Sequence, residues 1–563
     1  MLLILGTIVV AAAVFLIPTL WLKPWFINHF YTRVFARFVL RRPMLLSSLR
    51  LLEPMRLQFH NDDLDDLSVE FNLKEARWFD RQLKILRSYD REGMDDAGRL
   101  SYDILEWFMV DVQEGNRYMY HNYPVNQLDG IHISLLDFMV NTHRVDDLRD
   151  AEQYMTRVSR FGVAFDQVLE GLELREEKGI VLPLFVIQHV LKEMNDLIAV
   201  ELSENVLYTH LKSRLEELEE VEAQTREDLL TRLEQEIEDT VYPAYRRLID
   251  FFTHQEGIAT TDNGVWKLPN GETFYAYTLK QHTTTDMTAD EIYELGLREV
   301  ERIQAEMREI LVAEGYPADD LQATMNSLNE QERFLYPDTD KGREQILLDY
   351  QAIIDEIDEG TKDFFDLRPA VGVKVERVPE FKQAKAPGAY YDSPPMDLSK
   401  PGTFYVNLRD VKEIPRFGMR TLAYHEAIPG HHFQITIAQG LKDLPIFRRI
   451  IPFTAYAEGW ALYAEKFAAE QGYQEDPFDR LGYLTYEIFR AVRLVVDTGI
   501  HDERWTREQA IDYMLGNTGM PEGEVVAEIE RYIVKDHLQS RWLFPSQKVF
   551  KGIAFELIFL EIL

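Results

Sequence analysis

The chain has 563 residues, of which 46% are hydrophobic and 28% are charged, and its formal net charge at pH 7 is −35. This composition is typical of a folded protein with a large core, and so acidic a chain is expected to repel nucleic acid. The sequence contains no cysteine, which excludes disulfides, thiolate zinc ligands, cysteine nucleophiles and lipidated cysteines.

The first predicted element is a membrane-spanning helix over Leu2–Leu22. This segment carries no charged side chain and matches the about 20 apolar residues that a helix needs to cross a bilayer. The basic, aromatic stretch that follows, KPWFINHFYTRVFARFVLRR, is typical of an interfacial anchor and favours the cytoplasmic side. We therefore expect a single-pass anchor over residues 1–22 and a basic juxtamembrane segment over residues 23–55. A buried core helix and a cleaved signal peptide are the alternatives.

Helical patterns dominate the chain from Asp62 onward. Residues 229–252 and 288–315 carry apolar side chains at helical spacing. Thr288 and Glu291 form the Thr-x-x-Glu pattern of a capping box, which predicts that a helix begins there. The sequence therefore predicts a mainly α fold.

Two short strands are predicted among the helices, over Gly372–Val378 and Thr403–Leu408. The first segment alternates apolar and polar residues, and the second is rich in β-branched and aromatic residues. The stretch between them, KAPGAYYDSPPMDLSKPG, is predicted to be a loop, either at a domain boundary or at the edge of an active site. The expected fold thus includes a small β element.

The segment Tyr424–Gln434, YHEAIPGHHFQ, concentrates metal-binding chemistry. Three histidines and a glutamate lie close together there, in a chain with 14 histidines. A zinc hydrolase needs neutral imidazole ligands and a carboxylate beside an activated water, and the usual pattern is H-E-x-x-H on one helix. Here the position four residues after His425 is Pro429, so the usual pattern does not apply.

A regular helix would bring neither later histidine to His425. His431 would lie about 9 Å away along the helix axis and on a different face, and His432 would lie about 10.5 Å away. Pro429 and Gly430 are well suited to break a helix. We therefore predict a break there, with His431 as the second ligand because it requires the smaller distortion, and with His432 as the alternative.

A third ligand is expected on the helix AYAEGWALYAEKFA. Glu458 and Glu465 lie two turns apart on one face of that helix. Gly459, next to Glu458, would allow a close approach of helices. We predict that Glu458 is the third ligand, although an isolated glutamate is more often a surface residue.

The segment RAVRLVVDTGIH carries charges along one helical face: Arg490, Arg493, Asp497 and His501. Valines between them predict a buried helix, and buried charges need partners. The charges could orient metal ligands or stabilise a developing oxyanion. The alternative is a structural network of ion pairs.

These segments resemble, in the same order, the bacterial family called domain of unknown function 885. The resemblance covers about residues 50 to 550. It rests on HEAIPGHHFQ, EGWALYAE, RAVRLVVDTGIH and RWTREQAIDYM, which occur in this order, and also on the earlier segment PGTFYVNL. Members are similar in kind to helical zinc peptidases of the gluzincin type. The resemblance implies His425, His431 and Glu458 as Zn²⁺ ligands and Glu426 as the general base. It also implies a single catalytic domain, over residues 56–563, around a deep cleft.

The leading prediction is a zinc-dependent peptidase of short peptides, in which His501 or a nearby tyrosine stabilises the oxyanion. One departure from the family lies at the carboxyl end. The family pattern there is similar to P-G-Q-x-x-x-Y-K-x-G, whereas this chain has Phe550 where the pattern has Tyr, followed by Lys551. If the family's tyrosine polarises the scissile carbonyl, Phe550 cannot replace it. Two alternatives therefore remain: a catalytically degenerate, membrane-tethered binding or scaffold protein, and a zinc hydrolase of a non-peptide amide or ester.

Overall fold

The computed structural model of the protein describes residues 14–52, 55–383, 387–451 and 453–534. These residues form two compact units. Unit 1 holds the described residues up to Asp262 together with Lys442–Ile450, and unit 2 holds Asn263–Leu441 and the described residues from Ile451 onward. The predicted extents of anchor, juxtamembrane segment and catalytic domain stay predictions.

Unit 1 is built from helices. They are α1 (Ile27–Leu40), α2 (Pro43–Leu49), α3 (Val69–Leu86), α4 (Asp96–Gly115), α5 (Ile131–Asn141), α6 (Leu148–Ser159), α7 (Phe161–Glu177), α8 (Leu184–Ala199), α9 (Val206–Glu217), α10 (Ala223–Glu236) and α11 (Tyr242–Glu256). A π-helical turn, Ile237–Val241, joins α10 to α11. The predicted helix over residues 229–252 is therefore confirmed.

The predicted membrane-spanning segment lies only partly within the described residues. Residues 1–13 are outside them, and residues 14–21 are helical. Within the described ranges, we find no helix that combines the length and the apolar character needed to cross a bilayer.

A buried arginine ties the elements of unit 1 together. Arg157 on α6 is fully buried and donates to Ser47 Oγ at 2.8 Å and to the His60 carbonyl at 2.9 Å. Its Nη1 donates to Nδ1 of His143 at 2.7 Å. These bonds satisfy a charge that burial would otherwise make costly.

Unit 2 contains further helices and three strands. They are α12 (Gly271–Thr283), α13 (Ala289–Ala313), α14 (Leu321–Asn329), α15 (Asp340–Gly360), β1 (Val373–Arg377), α16 (Glu380–Gln383), β2 (Ala389–Asp392), β3 (Gly402–Val406), α17 (Met419–Glu426), α18 (His431–Gly440), α19 (Thr454–Glu470), α20 (Pro477–His501), α21 (Arg507–Thr518) and α22 (Glu522–Val534). The mainly α fold with a small β element is confirmed.

The strands form one sheet in the order β1-β3-β2. β1 and β3 are parallel, with Val375 opposite Phe404, and they confirm the two predicted strands. β2 pairs with β3 in the antiparallel direction, with Tyr390 opposite Tyr405. The stretch predicted to be a loop between the two strands therefore contains a third strand, which the sequence did not predict. Its Ala-Tyr-Tyr-Asp segment was hidden by flanking Pro and Gly residues.

The sheet and the helices around it share one apolar core. Phe404 and Val406 of β3 pack with Tyr350 and Ile354 of α15 and with Ala423 of α17. This core fixes α17, whose last two residues are His425 and Glu426.

A long helix pair frames the same region. The predicted capping box at Thr288 and Glu291 starts α13. A Cβ on Gly296 of α13 would lie 2.8 Å from side-chain atoms of Leu494 and of Val495 on α20. The two helices therefore approach so closely that only glycine fits at this point.

Candidate metal centre

The helix that carries His425 ends directly after Glu426. Ala427 has φ −112° and ψ −95°, Gly430 has φ −79° and ψ −131°, and the Ile428–Pro429 peptide is cis. The next helix, α18, begins at His431. The predicted break is confirmed over residues 427–430, with His425 before it and His431 after it.

Gly430 is required by the tightness of this turn. A Cβ at Gly430 would lie 1.9 Å from the carbonyl oxygen of His425 and 2.3 Å from that of Tyr424. Any side chain there would therefore push the turn away from the end of α17. From α19, Trp460 Nε1 donates to the Pro429 carbonyl at 2.7 Å, which holds the turn against the third helix of the site.

The break brings three buried donor groups together: His425, His431 and Glu458. Oε2 of Glu458 lies 3.6 Å from Nε2 of His425 and 3.7 Å from Nε2 of His431. The two imidazole rings are 4.7 Å apart at 82°. Tetrahedral zinc with ligands at about 2.0–2.2 Å would separate its donors by about 3.3–3.6 Å. The donor set and its spacing therefore fit one Zn²⁺ with small movements of the side chains.

Glu465 holds the opposite edge of the His425 ring. Its Oε1 lies 2.7 Å from His425 Nδ1 and 3.0 Å from Arg490 Nη2, and the side chain is fully buried. When Glu465 is ionised it can only accept, so Nδ1–H of His425 and the guanidinium of Arg490 both donate to it. The Nε2 lone pair then points to the side of Glu458. Glu458 and Glu465, which were predicted to share one helix face, thus lie beside Nε2 and Nδ1 of the same imidazole, that of His425.

The electrostatics of the cluster also favour a cation. Burial raises the pKa of Glu465 to about 8, and the neighbouring carboxylates Glu487, Glu426 and Glu458 add to this rise. Arg490 opposes it. Arg490 lies against Glu465 and Arg302 pairs with Glu487, and a divalent ion bound by Glu458 would offset negative charge nearer the histidines.

His432 lies outside the donor group. Its Nε2 donates to the Val371 carbonyl at 3.1 Å, and its Nδ1 accepts from the Tyr391 hydroxyl at 2.9 Å. Burial lowers its pKa to about 4. The ring is therefore a neutral link between α18 and the sheet, and the alternative ligand set with His432 is not supported.

Glu426 follows His425 and is buried, with 1% of its surface exposed. It does not belong to the donor group, as expected of a base that does not bind the metal. Its charge raises the pKa values of Tyr350, Tyr486 and Glu465, for which burial is the larger cause. Its role as a base stays a prediction.

Tyr486 is a candidate for the oxyanion-stabilising tyrosine, whose number could not be identified from the sequence. It precedes Arg490 by one turn of α20, and the guanidinium carbon lies 6.0 Å from its ring. Burial raises the pKa of Tyr486, so its hydroxyl keeps its proton. The signal was its position four residues before Arg490, on the same helical face.

The contacts of His501 do not fit the predicted role of stabilising an oxyanion. Its Nδ1 accepts from the Val265 N–H at 3.1 Å, and its Nε2 lies 3.2 Å from the Tyr532 carbonyl, to which it donates. It also lies about 16 Å beyond Arg490 along α20. Both ring nitrogens are bonded to backbone, so His501 is not placed to stabilise an oxyanion beside His425, and we do not retain it as a catalytic residue.

The charged residues of α20 therefore fall into two groups with different contacts. Arg490 contacts the donor cluster, whereas Arg493 donates to the Tyr532 hydroxyl at 2.8 Å and Asp497 accepts from the Tyr275 hydroxyl at 2.6 Å. The latter two belong to a structural network. Phe550 and Lys551 lie outside the described residues.

The chain matches one family model and is similar to two solved structures, and none of their descriptions states an activity. The family described as "Bacterial protein of unknown function (DUF885)" matches residues 45–539. A crystal structure of "the putative lipoprotein from Colwellia psychrerythraea" has 32% sequence identity and a TM-score of 0.87, over 95% of this chain and 91% of that one. A "putative lipoprotein of unknown function from Shewanella oneidensis" has 15% identity and a TM-score of 0.66, over 93% and 91% of the two chains, which shows likeness of fold alone. No curated protein matches.

Proposed function

Because the chain belongs to the bacterial DUF885 family, whose description assigns no function, we propose a function from the site itself: a zinc-dependent peptidase that hydrolyses short peptides. The observation that carries the proposal is the convergence of His425, His431 and Glu458 from three separate helices onto one buried point. Among the described residues this group holds three protein donors, which is the pattern of catalytic zinc sites.

Each residue of the site has a distinct part in this proposal. His425, His431 and Glu458 would hold the ion, which when bound supplies Lewis acidity and lowers the pKa of a water molecule. Glu426 takes a proton from the attacking water and passes it to the leaving amine.

The surrounding residues orient the ring of His425 and stabilise the developing oxyanion. Glu465 holds the ring of His425 in place, and Arg490 holds Glu465. Tyr486 lies beside Arg490, which contacts His425, and it keeps its proton, so it is the candidate donor to the developing oxyanion. The resemblance to helical peptidases favours short peptides, since a cleft enclosed by helices admits chain ends more readily than folded proteins.

Metal analysis and turnover test the proposal together. We expect about one zinc per chain in the purified protein and loss of zinc in His425→Ala. The exposed His254, which pairs with Glu176 in unit 1, provides the matched control His254→Ala with full zinc content. Glu426→Gln should keep its zinc and lose most turnover of a peptide library.

Two outcomes would contradict this proposal. Full zinc content in His425→Ala would remove the site. A zinc-loaded protein that cleaves neither peptides nor simple amides and esters would favour the scaffold alternative, whereas cleavage of amides or esters alone would favour the non-peptide hydrolase.

We further propose that the protein is attached to a membrane through the apolar segment Leu2–Leu22. A similar structure is described as a lipoprotein, but this sequence contains no cysteine to carry an acyl chain. Alkaline carbonate extraction of membranes should leave the intact chain in the pellet, and release into the supernatant would refute a spanning anchor. Protease protection in spheroplasts would determine the side.

A further inference from the structure

An exposed apolar surface covers residues 14–26 in unit 1. Trp21, Trp25 and Phe26 are 72%, 62% and 62% exposed. The helical residues before them present further exposed apolar side chains: Val14, Phe15, Leu16, Ile17 and Leu20. We call residues 14–26 the tryptophan surface. A contiguous apolar area of this kind on a folded unit marks an interaction site.

Polar backbone groups beneath the tryptophan surface are bonded inside the unit. Arg33 Nη1 on α1 donates to the Leu22 carbonyl at 2.5 Å and lies 3.3 Å from the Thr19 carbonyl. Trp25 Nε1 donates to the Val14 carbonyl at 3.0 Å. Three carbonyl groups of this segment, those of Val14, Thr19 and Leu22, are thereby bonded to side chains of the unit instead of water, which suits contact with lipid.

Charge beside the surface is strongly positive in an otherwise acidic chain. The basic residues before Glu53, where no acidic residue occurs, are Lys23, Arg33, Arg37, Arg41, Arg42 and Arg50. Arg37, Arg41 and Arg42 share one carboxylate, Glu75, at 3.3, 3.4 and 3.5 Å. The cluster therefore keeps a net positive charge, which Arg37 and Arg41 expose in part while Arg42 is buried. Because exposed charges act over about 10 Å in 0.1 M salt, it can attract an anionic surface although the whole chain is acidic.

We propose that the tryptophan surface binds the interface of an anionic lipid bilayer. Tryptophans beside basic residues are the combination that settles at the level of lipid headgroups. A second copy of the chain is the less suitable occupant, because it would bring an equal positive charge to the same place. The proposal concerns unit 1 alone, so it can fail while the hydrolase proposal stands. It also does not require Leu2–Leu22 to span the bilayer.

Vesicle binding by the full chain tests this inference. The protein should bind vesicles of phosphatidylcholine with phosphatidylglycerol more tightly than vesicles of phosphatidylcholine alone, and sodium chloride should reduce this preference. Trp21→Ser with Trp25→Ser should weaken binding to both kinds of vesicle by about tenfold or more, since each side chain loses its apolar contact. Lys23→Gln should reduce the preference for anionic vesicles.

The control removes apolar surface elsewhere in unit 1. Val163 and Ile258 are exposed to a similar degree, and Val163→Ser with Ile258→Ser should leave vesicle binding unchanged. A second measurement avoids any effect of serine on folding: Trp21→Phe with Trp25→Phe should keep binding but lose the quenching of tryptophan emission by brominated lipids.

Three results would overturn the inference. They are parental vesicle binding by the double serine variant, an equal loss in the Val163 and Ile258 control, and a change from dimer to monomer in the serine variant with vesicle binding retained. The last would assign the surface to self-association.

Discussion

Replacing Glu465 is expected to weaken zinc binding without touching a zinc ligand. Its carboxylate lies 2.7 Å from Nδ1 of His425, on the side of the ring opposite Glu458, and it is fully buried. Removing it frees the imidazole to rotate and lowers the basicity of the nitrogen that faces the ion.

The size of the effect follows from the kind of hydrogen bond that is lost. With Glu465 ionised, a bond to its charged carboxylate contributes about 1.5–3 kcal/mol, whereas a neutral bond contributes about 0.5–1.5 kcal/mol. Glu465→Gln keeps a neutral acceptor, so we expect about a tenfold rise in the Kd for zinc. Glu465→Leu removes the whole bond, and about 10- to 100-fold is expected. It also takes a carboxylate from beside the buried Arg490, which should lower the Tm.

Chelator competition on the full chain measures these affinities, with circular dichroism as the check on folding. Glu470, at the exposed end of the same helix α19, provides the matched control. Glu470→Gln should bind zinc as the parent does. A Kd for zinc that rises from the parent to the glutamine variant and again to the leucine variant would show that Glu465 positions His425. A general loss of stability would not order the variants by their ability to form this hydrogen bond. A Kd for folded Glu465→Leu within about threefold of the parent would refute this role.

Three further predictions concern the turn, the second histidine and a buried acid. Gly430→Ala should lose zinc and lower the free energy of unfolding by several kcal/mol, because its Cβ would clash with the His425 carbonyl. Gly440→Ala, with no atom within 4 Å of its added Cβ, should keep both zinc and stability. Equal behaviour of the two variants in denaturation and metal analysis would contradict the geometry. His432→Ala should keep zinc but lower the free energy of unfolding by about 1–3 kcal/mol, and His431→Ala should lose zinc; the reverse pattern would exchange the two roles. Burial raises the pKa of Asp65 to about 7, so the native state binds a proton that the unfolded state releases, and stability should fall as pH rises from about 4 to about 7; Asp65→Asn, compared by urea unfolding at pH 5 and pH 8, should reduce this fall, and an unchanged pH dependence would exclude Asp65 as its source.

Local patterns predicted much of the fold. The capping box at Thr288 and Glu291 and the strands around Val375 and Phe404 depend on side chains a few residues apart, so they can be inferred without tertiary contacts. β2 could not, because it exists through pairing with β3, and its neighbours predict a loop. Tertiary pairing overrides local preference at such edges.

The candidate site divides in the same way. The break between His425 and His431 could be predicted because the distance along a regular helix excludes a shared ion. The fate of His501 could not, since its two partners are backbone groups of Val265 and Tyr532, which no pattern of side chains reveals. A charged stripe on one helix predicts burial, but not which of its members faces which neighbour.

The arrangement of α19 restricts how this protein can change over time. Glu458 and Glu465 meet the two nitrogens of a single ring from positions two turns apart. Each residue turns an α-helix by about 100°. The insertion or deletion of a single residue of any type between them would therefore move one carboxylate to another face of the helix. The six residues that separate them can vary in type as far as packing permits, but their number cannot drift, so related chains that keep both carboxylates should show no gaps in this stretch.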